Sequence, residues 1–276
     1  MRAAVIQDIS GLGRCSLAAA LPVLAALGVQ ACPVPTAVLT SQTGFRRFAQ
    51  LDCAPLMEEF TPVWRELNVN LDGVYTGFMG TPRQLAAAQA LIDAFHSPLL
   101  LIDPVLGDDG ALYPCFDNAF LSAMRQFAAQ ADILTPNVTE ACLLTGTDYA
   151  QFAAMDEESQ RGMLEQICAA LPAKITAITG WHCGGDVCTV LSNHGKTIVY
   201  KSPAVEGSYS GTGDLFAACL FGYLLRGETP EAAMPNIMAF LEACLRSASA
   251  DARTSNVPAE EGVPFERHLN LLIHSS

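Results

Sequence analysis

Residues 99–104 read Leu99-Leu100-Leu101-Ile102-Asp103-Pro104, an apolar run that stops at a carboxylate and a proline. A continuous apolar run of this kind is typical of a strand that is buried on both faces of a parallel sheet. Shorter strands predicted at residues 3–6 and 132–134 also end next to polar residues. Because segments with helical character separate these strands, the sequence predicts an α/β fold with a mainly parallel sheet and helices on both faces.

The remaining elements continue this alternation along the chain. Further strands are predicted at residues 30–39, 73–75 and 175–178, and a hairpin at residues 187–191 and 197–201. Helices are predicted at residues 16–27, 56–67, 82–95, 118–130, 215–226 and 231–248. The strand at 175–178 is expected to end at Thr179-Gly180, and residues 251–262 form a polar stretch. Because no repeat or linker interrupts the pattern, residues 1–276 are predicted to form a single domain.

The composition excludes several classes of protein. The chain carries 15 Lys and Arg residues against 28 Asp and Glu residues, a formal net charge of −13. Nucleic acids and anionic membranes are bound by clustered basic side chains, so neither partner is expected. Hydrophobic residues make up 51% of the chain, which is enough for a buried core. Residues 15–45 carry no charge, but Pro22, Gly28 and Pro33 interrupt them, so no membrane span is expected there.

The N-terminus and the cysteines indicate the compartment. Asp8 stands where the apolar stretch of a signal peptide would begin, so a cytoplasmic protein is expected. The 10 cysteines are scattered and no pair has C-x-x-C spacing. Free thiols in a reducing compartment are therefore expected, and a zinc site is not.

The segment most suggestive of chemistry is Ser210-Gly211-Thr212-Gly213-Asp214, just before the helix predicted at Leu215. Glycines at a helix N-terminus let backbone N–H groups converge on an anion. A carboxylate beside such a turn suits a kinase, which needs a base near the attacking hydroxyl. Alternatively, Asp214 is only a partner of the helix dipole. Motifs of P-loop enzymes and serine hydrolases are absent, and residues 11–16 do not complete a dinucleotide fingerprint.

Two further segments follow predicted strands, where ligands of open α/β sheets bind. In residues 103–110, Asp103 and Asp108 can hold Mg²⁺ against nucleotide phosphates, usually through water. In residues 135–141, Asn137 and Glu140 have the spacing of a capping box, so Glu140 has an alternative, purely structural interpretation.

Together these segments resemble the pyridoxal/pyridoxamine kinases of the ribokinase-like superfamily. The resemblance rests on Asp103-Pro104-Val105-Leu106-Gly107-Asp108, on Thr135-Pro136-Asn137 with Glu140-Ala141, and on Gly211-Thr212-Gly213-Asp214-Leu215-Phe216. Thr43-Gly44 and Thr76-Gly77-Phe78 also fit, and the likeness runs from about Val5 to Leu225. It implies a ribokinase-like three-layer sandwich, and transfer of the ATP γ-phosphoryl group to the 5′-hydroxymethyl group of pyridoxal, pyridoxamine or pyridoxine in vitamin B6 salvage.

The resemblance also implies a role for each matching residue. Asp214 would be the catalytic base, and the N–H groups of Gly211, Thr212 and Gly213 would form the anion hole. Mg²⁺ and a monovalent cation, K⁺ or Na⁺, would be organised by Asp103, Asp108 and Glu140. ATP would be contacted by Asp108, Thr135, Asn137, Glu140, Thr179 and Lys201, under a covering loop at residues 201–208. Asp8, Thr43 and Thr76, with Asp214, would face the B6 vitamer. Homodimers are common among such kinases, so a homodimer is expected.

Some residues depart from the kinase pattern. Many pyridoxal kinases carry Ser where this chain has Asp8, the covering loop is short and weakly basic, and Gly180 replaces a frequent hydroxyl residue. The main alternative is a hydroxymethylpyrimidine kinase of thiamine synthesis, although residues 8–13 lack the glycine-rich segment expected there. A sugar kinase would need a lid of strands that is absent from the sequence pattern. A non-catalytic metabolite-binding protein on the same fold is disfavoured because Asp214 is retained.

Overall fold

The computed structural model describes residues 1–207, 209–254 and 258–273, in which strands and helices alternate. The strands are β1 Arg2–Ser10, β2 Gln30–Leu39, β3 Gln50–Asp52, β4 Gly73–Thr76, β5 Leu100–Ile102, β6 Gly107–Asp108, β7 Ala111–Leu112, β8 Ile133–Leu134, β9 Ile175–Cys183, β10 Asp186–Asn193 and β11 Lys196–Pro203. The helices are α1 Ser16–Ala26, α2 Ala54–Glu66, α3 Pro82–Phe95, α4 Asn118–Ala128, α5 Val138–Thr145, α6 Tyr149–Ala153, α7 Glu157–Ala170, α8 Thr212–Leu225, α9 Pro230–Thr254 and α10 Asn270–Ile273.

One 9-stranded sheet runs through the molecule in the order β11-β10-β9-β8-β5-β4-β1-β2-β3. Its central strands, from β9 to β2, pair in parallel. Strands β3, β10 and β11 pair antiparallel at the two edges. Because central parallel strands are covered by helices, they are apolar on both faces, as their sequences predicted. The predicted α/β class with a mainly parallel sheet is therefore confirmed.

The two faces of the sheet support separate cores. Along β1, Ala4 and Ile6 pack against the helices from α2 to α7, whereas Ala3 and Val5 pack against α1, α8 and α9. Helix α8 is apolar on nearly every side because the sheet, α1 and α9 surround it. This burial fixes the N-termini of α1 and α8 beside the carboxyl ends of the central strands.

Several boundaries differ from the sequence prediction. Strand β1, predicted at residues 3–6, continues through Asp8 to Ser10. Strand β9 does not end at Thr179-Gly180: a bulge there, opposite the register shift in β10, lets the strand continue to Cys183. Helix α8 begins at Thr212 rather than Leu215, because Gly211 adopts φ +83° and serves as the N-cap. Helix α9 extends to Thr254, into the stretch predicted to be polar and irregular.

Three short strands were not predicted. Strand β3 adds to the edge of the sheet, and β6 and β7 form a separate two-stranded hairpin. Asp109 and Gly110 connect β6 to β7 with φ values of +49° and +78°, which suits a two-residue hairpin turn. Among the helices in the described ranges, none combines the length and apolar character needed to cross a bilayer. All ten cysteines are free thiols.

Candidate active site

The N-terminus of α8 forms the centre of the candidate site. Gly211 holds a left-handed backbone conformation, and a side-chain carbon there would overlap the Arg14 carbonyl oxygen. The glycine therefore allows the chain before α1 to pack directly against the start of α8. The backbone N–H groups of Gly211, Thr212 and Gly213 lie at the helix N-terminus, where helical N–H groups lack intrahelical acceptors. Such a turn can bind a phosphate or a developing oxyanion.

Asp214 lies in the first turn of α8 and carries a perturbed carboxyl group. Burial raises the pKa of Asp214 to about 7, opposed by a hydrogen bond from the Ser16 backbone N–H and assisted by the negative charge of Asp8. A carboxylate with a pKa near neutrality is suited to accept a proton. A helix N-terminus alone would lower the pKa of a carboxyl group, so burial is the dominant influence on the pKa of Asp214.

A second carboxylate, Asp103, follows the central strand β5 and is buried. Burial raises the pKa of Asp103 well above its ordinary value, and the negative charges of Glu140 and Asp214 raise it further. The structure thus brings three predicted site residues from β5, α5 and α8 within electrostatic reach of one another. Buried carboxylates of like charge are costly unless a proton or a cation neutralises them.

Glu140 makes the capping box that its spacing suggested. Its side chain accepts the Asn137 N–H at 2.8 Å, while the Asn137 side chain accepts the Glu140 N–H at 2.8 Å. Its other carboxylate oxygen accepts the Leu106 N–H at 3.0 Å, and the Asn137 amide donates to the Gly107 carbonyl at 2.9 Å. Burial raises the pKa of Glu140 to about 7, against these backbone hydrogen bonds. The start of α5 therefore holds the loop that follows β5.

Asp108 stands apart from this buried group. It is exposed on β6, and one of its carboxylate oxygens accepts the Asp109 N–H at 3.0 Å. Across the described ranges, no group of three or more His, Cys, Asp and Glu side chains is placed to bind a metal directly. Asp103, Asp108 and Glu140 are thus not a direct triad of ligands, since Glu140 is engaged by backbone donors. Acidic side chains at this spacing still fit Mg²⁺ held largely through water.

The residues expected at the B6 vitamer differ in accessibility. Asp8 is buried, and the Ser10 hydroxyl donates to its carboxylate at 3.4 Å. Burial raises the pKa of Asp8, while hydrogen bonds from Ser16 and Ser10 lower it. Thr43 is exposed, as a ligand contact requires. Thr76 is fully buried, and its hydroxyl has no hydrogen-bond partner within the part of the chain that the structure describes.

The residues expected at ATP are only partly brought together. Thr135 directly follows β8 and is buried. Thr179 pairs with Asn137 in an isolated bridge, and the Thr179 N–H donates to the Pro136 carbonyl at 3.0 Å. Lys201 lies two strands away from β9, the strand that carries Thr179. It is exposed on the outermost strand β11, paired with Cys188 in the sheet. In the covering loop predicted at residues 201–208, Ser208 lies outside the described residues.

Sequence reasoning missed Ser16, which links the two halves of the site. Ser16 opens α1 with φ +48°, a conformation that non-glycine residues rarely adopt. Its backbone N–H forms a hydrogen bond with the Asp214 carboxylate, and its hydroxyl forms one with the Asp8 carboxylate. No motif marks this position, because its role arises from the packing of α1 against α8. A strained residue between two carboxylates indicates that surrounding contacts fix it there.

Comparisons with known proteins agree with this arrangement. The family model described as phosphomethylpyrimidine kinase matches residues 13–259. A Bacteroides thetaiotaomicron protein, provisionally named a phosphomethylpyrimidine kinase and crystallised with pyridoxal, is 31% identical with a TM-score of 0.87, covering 98% of this chain and 95% of that one. Pyridoxal kinase from Lactobacillus plantarum is 28% identical with a TM-score of 0.87, covering 99% of this chain and 96% of its own.

A curated relative represents the alternative activity. Hydroxymethylpyrimidine/phosphomethylpyrimidine kinase from Haemophilus influenzae is 31% identical over 156 residues, which are 53% of this chain and 54% of that protein. The chain spans about half the length of the first curated relatives it matches, 57% and 47%.

Proposed function

The chain belongs to the phosphomethylpyrimidine kinase family, within the ribokinase-like superfamily, and on that premise we propose that it transfers the ATP γ-phosphoryl group to the 5′-hydroxymethyl group of a B6 vitamer. The acceptor is pyridoxal, pyridoxamine or pyridoxine, and the reaction belongs to vitamin B6 salvage. One observation carries the proposal: a carboxylate with a pKa of about 7 lies in the first turn of the helix that follows a glycine turn.

In the proposed reaction, Asp214 acts on the hydroxyl group of the acceptor. The hydroxyl oxygen attacks the γ-phosphorus, the bond from that phosphorus to the bridging oxygen of ADP breaks, and the hydroxyl proton passes to the Asp214 carboxylate. Negative charge on the transferring group is stabilised by the N–H groups of Gly211, Thr212 and Gly213. Ser16 holds Asp214 through its backbone N–H, so the base is oriented before the acceptor binds.

The pKa of Asp214 predicts how activity depends on pH. Asp214 accepts a proton only when ionised, so kcat/KM should rise with pH up to about 7 and then level off. The charge of Asp8 helps to raise this pKa, so Asp8→Asn should move the acid limb to lower pH. Profiles of kcat/KM between pH 5 and 9 for both proteins measure the shift. An acid limb in wild type near the ordinary pKa of aspartate, about 4, would contradict the assignment.

Mg²⁺ fits the acidic loop between β5 and α5. Asp103 and Asp108 would hold it, largely through water, with Glu140 fixing the loop, and a monovalent cation, K⁺ or Na⁺, would use the same acidic group. When bound, these ions neutralise phosphate charge. Around them, Thr135, Asn137 and Thr179 would line the ATP side, and Lys201 would contact ATP from the edge strand β11.

Two variants separate metal placement from structural support. Asp108→Ala should raise the Mg²⁺ concentration for half-maximal rate and leave stability nearly unchanged, because Asp108 is exposed. Glu140→Ala should lower the free energy of unfolding by at least about 1 kcal/mol, because it removes a helix cap and frees the Leu106 N–H. Magnesium titrations and denaturant unfolding on both variants test this. Unchanged magnesium dependence and rate in Asp108→Ala would leave that residue with no metal role.

The similarity to a protein crystallised with pyridoxal supports a B6 vitamer as the acceptor. Hydroxymethylpyrimidine, or its phosphate, is the second candidate acceptor, since the matching family model and the Haemophilus influenzae relative carry that activity in their names. Hydroxymethylpyrimidine, like the B6 vitamers, presents a hydroxymethyl group on a six-membered nitrogen ring, so the same base and glycine turn serve either. Its phosphate would instead accept the phosphoryl group on a phosphate oxygen, which needs no base to remove a hydroxyl proton.

A panel of kcat/KM values decides between these acceptors. Pyridoxal, pyridoxamine, pyridoxine and hydroxymethylpyrimidine would each be tested with ATP and Mg²⁺, and ADP release measured. The proposal expects the highest kcat/KM with a B6 vitamer. A higher value with hydroxymethylpyrimidine would assign the chain to the second activity, and no transfer to any of the four would overturn both.

Asp8 is proposed to set the preference among B6 vitamers. The Gly11 N–H donates to the Leu39 carbonyl at 2.8 Å, so Asp8 does not cap that N–H. The protonated aminomethyl group of pyridoxamine can bond to a carboxylate, and a charge-assisted hydrogen bond contributes about 1.5–3 kcal/mol. Asp8→Ser should therefore shift the kcat/KM ratio of pyridoxal to pyridoxamine about tenfold or more toward pyridoxal. An unchanged ratio would make Asp8 a structural residue.

We extend the proposal to the assembly: residues 1–276 form one domain, and the protein is a cytoplasmic homodimer. The single continuous sheet supports one domain. Apolar side chains at the β2–β3 edge support self-association, since Val38, Phe48 and Leu51 are 44%, 41% and 66% exposed. Light scattering during size-exclusion chromatography would measure the mass, and a monomer at all concentrations would contradict this part.

A further inference from the structure

Gln42 is a buried polar residue that neither the glycine turn nor the acidic loop explains. It precedes Thr43 and is only 8% exposed. Two glycines leave the space that its side chain fills: a Cβ at Gly13 would lie 2.7 Å from Gln42 Cγ, and a Cβ at Gly44 would lie 2.7 Å from Gln42 Nε2. Gly13 also adopts φ +120°, which favours glycine. Gly13 and Gly44 thus accommodate the side chain of Gln42.

The amide of Gln42 contacts three separate parts of the chain. Its Oε1 accepts the Gly44 N–H at 2.8 Å. Its Nε2 donates to the Glu260 carbonyl at 2.8 Å and lies 3.4 Å from the Ser210 hydroxyl oxygen. The backbone N–H of Gln42 donates to the Leu12 carbonyl at 2.9 Å. Because both N–H bonds of the amide are directed at protein acceptors, the side chain has no donor left for a ligand.

The Glu260 contact belongs to a C-terminal brace, residues 259–266. The Arg14 N–H donates to the Glu261 carbonyl at 3.0 Å, and the Arg14 side chain donates to Glu266 at 2.8 Å. A Cβ at Gly262 would lie 2.8 Å from the Ser210 carbonyl oxygen. The brace therefore packs against Ser210, where the glycine turn begins, and against Arg14, on which Gly211 rests.

We propose that Gln42 is a positioning residue that couples the acceptor loop, residues 41–45, to the glycine turn, residues 210–213. This inference rests on the proposed function, since Thr43 is the acceptor contact and Gly211–Gly213 the phosphate contact. When nucleotide phosphates bind, they restrict the motion of the glycine turn. This restriction passes through Ser210, the brace and the Gln42 amide to the Gly44 N–H in the acceptor loop. Binding of one substrate then strengthens binding of the other, by the same factor in both directions.

The test measures the coupling between the two ligands directly. Calorimetry gives the Kd of pyridoxal, or of the best acceptor from the panel, with and without the non-hydrolysable analogue β,γ-imido-ATP and Mg²⁺. In the wild-type protein, the Kd of the acceptor without the analogue should be about fivefold or more higher than its Kd with the analogue, a ratio in the range usual for coupled sites. In Gln42→Met, which keeps the length of the side chain and removes its hydrogen bonds, the ratio should fall to about one.

A matched glutamine provides the control. Gln89 bonds to Gln130 on the far side of α3, away from the site, and Gln89→Met should keep the wild-type ratio. Gln42→Glu keeps the acceptor for the Gly44 N–H but loses the donor to the Glu260 carbonyl, so this variant should also lose the coupling. It replaces Gln42→Met in the test if that variant does not fold. Hydrogen exchange adds a readout that needs no acceptor: the analogue alone should slow exchange of amides 41–45 in wild type and not in either Gln42 variant.

The outcomes distinguish this inference from the proposed function. The wild-type protein could phosphorylate an acceptor from the panel while the acceptor Kd is the same with and without the analogue. That result overturns the coupling and leaves the kinase assignment intact. Full coupling in a folded Gln42 variant overturns it as well. A wild-type protein that phosphorylates no acceptor overturns the proposed function, and the exchange experiment still reports on the link from the glycine turn to residues 41–45.

Discussion

Asp214→Asn is expected to lower kcat by about 10²–10⁴-fold, the usual contribution of general-base catalysis. The amide has nearly the shape of the carboxylate but cannot accept the hydroxyl proton as the phosphoryl group arrives. The Ser16 N–H contact to this position can persist through the amide oxygen. ATP affinity should change little, so calorimetric titration with the nucleotide and steady-state kinetics on the same preparation measure the effect.

A second aspartate controls for the helix dipole. Asp156 caps α7 by accepting the Ser159 N–H at 2.8 Å, and it is not among the charges that act on Asp103, Glu140 or Asp214. Asp156→Asn should leave kcat unchanged, because asparagine also caps helices. If Asp214 were only a dipole partner, its asparagine variant would lose about 0.3–1 kcal/mol of stability and no turnover. Wild-type turnover in purified Asp214→Asn would thus remove the base from the proposed reaction.

Gly211→Ala is expected to lower kcat by about 10²–10³-fold, as loss of an oxyanion donor does. The new methyl group would overlap the Arg14 carbonyl oxygen, so either the start of α8 or the chain before α1 must move. Movement of the turn would misalign the N–H groups that stabilise the transferring phosphoryl group. Steady-state kinetics with saturating ATP and acceptor would separate this loss from weaker binding.

Gly227 supplies a control at the opposite end of the same helix. Its φ of +85° nearly equals the +83° of Gly211, but a Cβ there would meet nothing within 4 Å. Gly227→Ala should cost about 1–2 kcal/mol of stability for the left-handed backbone and leave kcat unchanged. Equal kinetic losses in both variants would trace the effect to backbone strain rather than to the contact with Arg14.

The central strands could be predicted because burial on both faces leaves a continuous apolar run, as at Leu100–Ile102. Strand β3 could not, because its three residues are exposed and no pattern marks them. The hairpin of β6 and β7 could also have been predicted, because Asp109-Gly110 is the pair typical of a two-residue turn. The start of α8 was predicted too late, because the packing of Gly211 on Arg14 fixes it and helix propensity does not.

The same distinction holds for the candidate site. Asp103, Glu140 and Asp214 could be expected to meet, because the ends of parallel strands and the helices that follow them converge at one edge of the sheet. The roles of Ser16 and Gln42 could not be predicted, since each also has a partner far away in sequence, Asp214 for Ser16 and Glu260 for Gln42, which only packing brings near. The resemblance implies that Lys201 contacts the nucleotide, and the residues alone could not predict its position on the edge strand, because the continuation of β9 and its antiparallel partners determines it.

The brace at residues 259–266 bears on how the protein is synthesised. Arg14 is made long before its partner Glu261, because the two residues are widely separated in sequence. Chains emerge from the ribosome at about 5–20 residues per second, and N-terminal parts collapse first. Strands β1, β2 and β4 can pair while the ribosome is still working, but α1 must wait for α8 to cover its apolar surface. A nascent chain therefore exposes that surface to chaperones until α8 has been made, and it completes the support of its phosphate-binding turn only after the brace has been made.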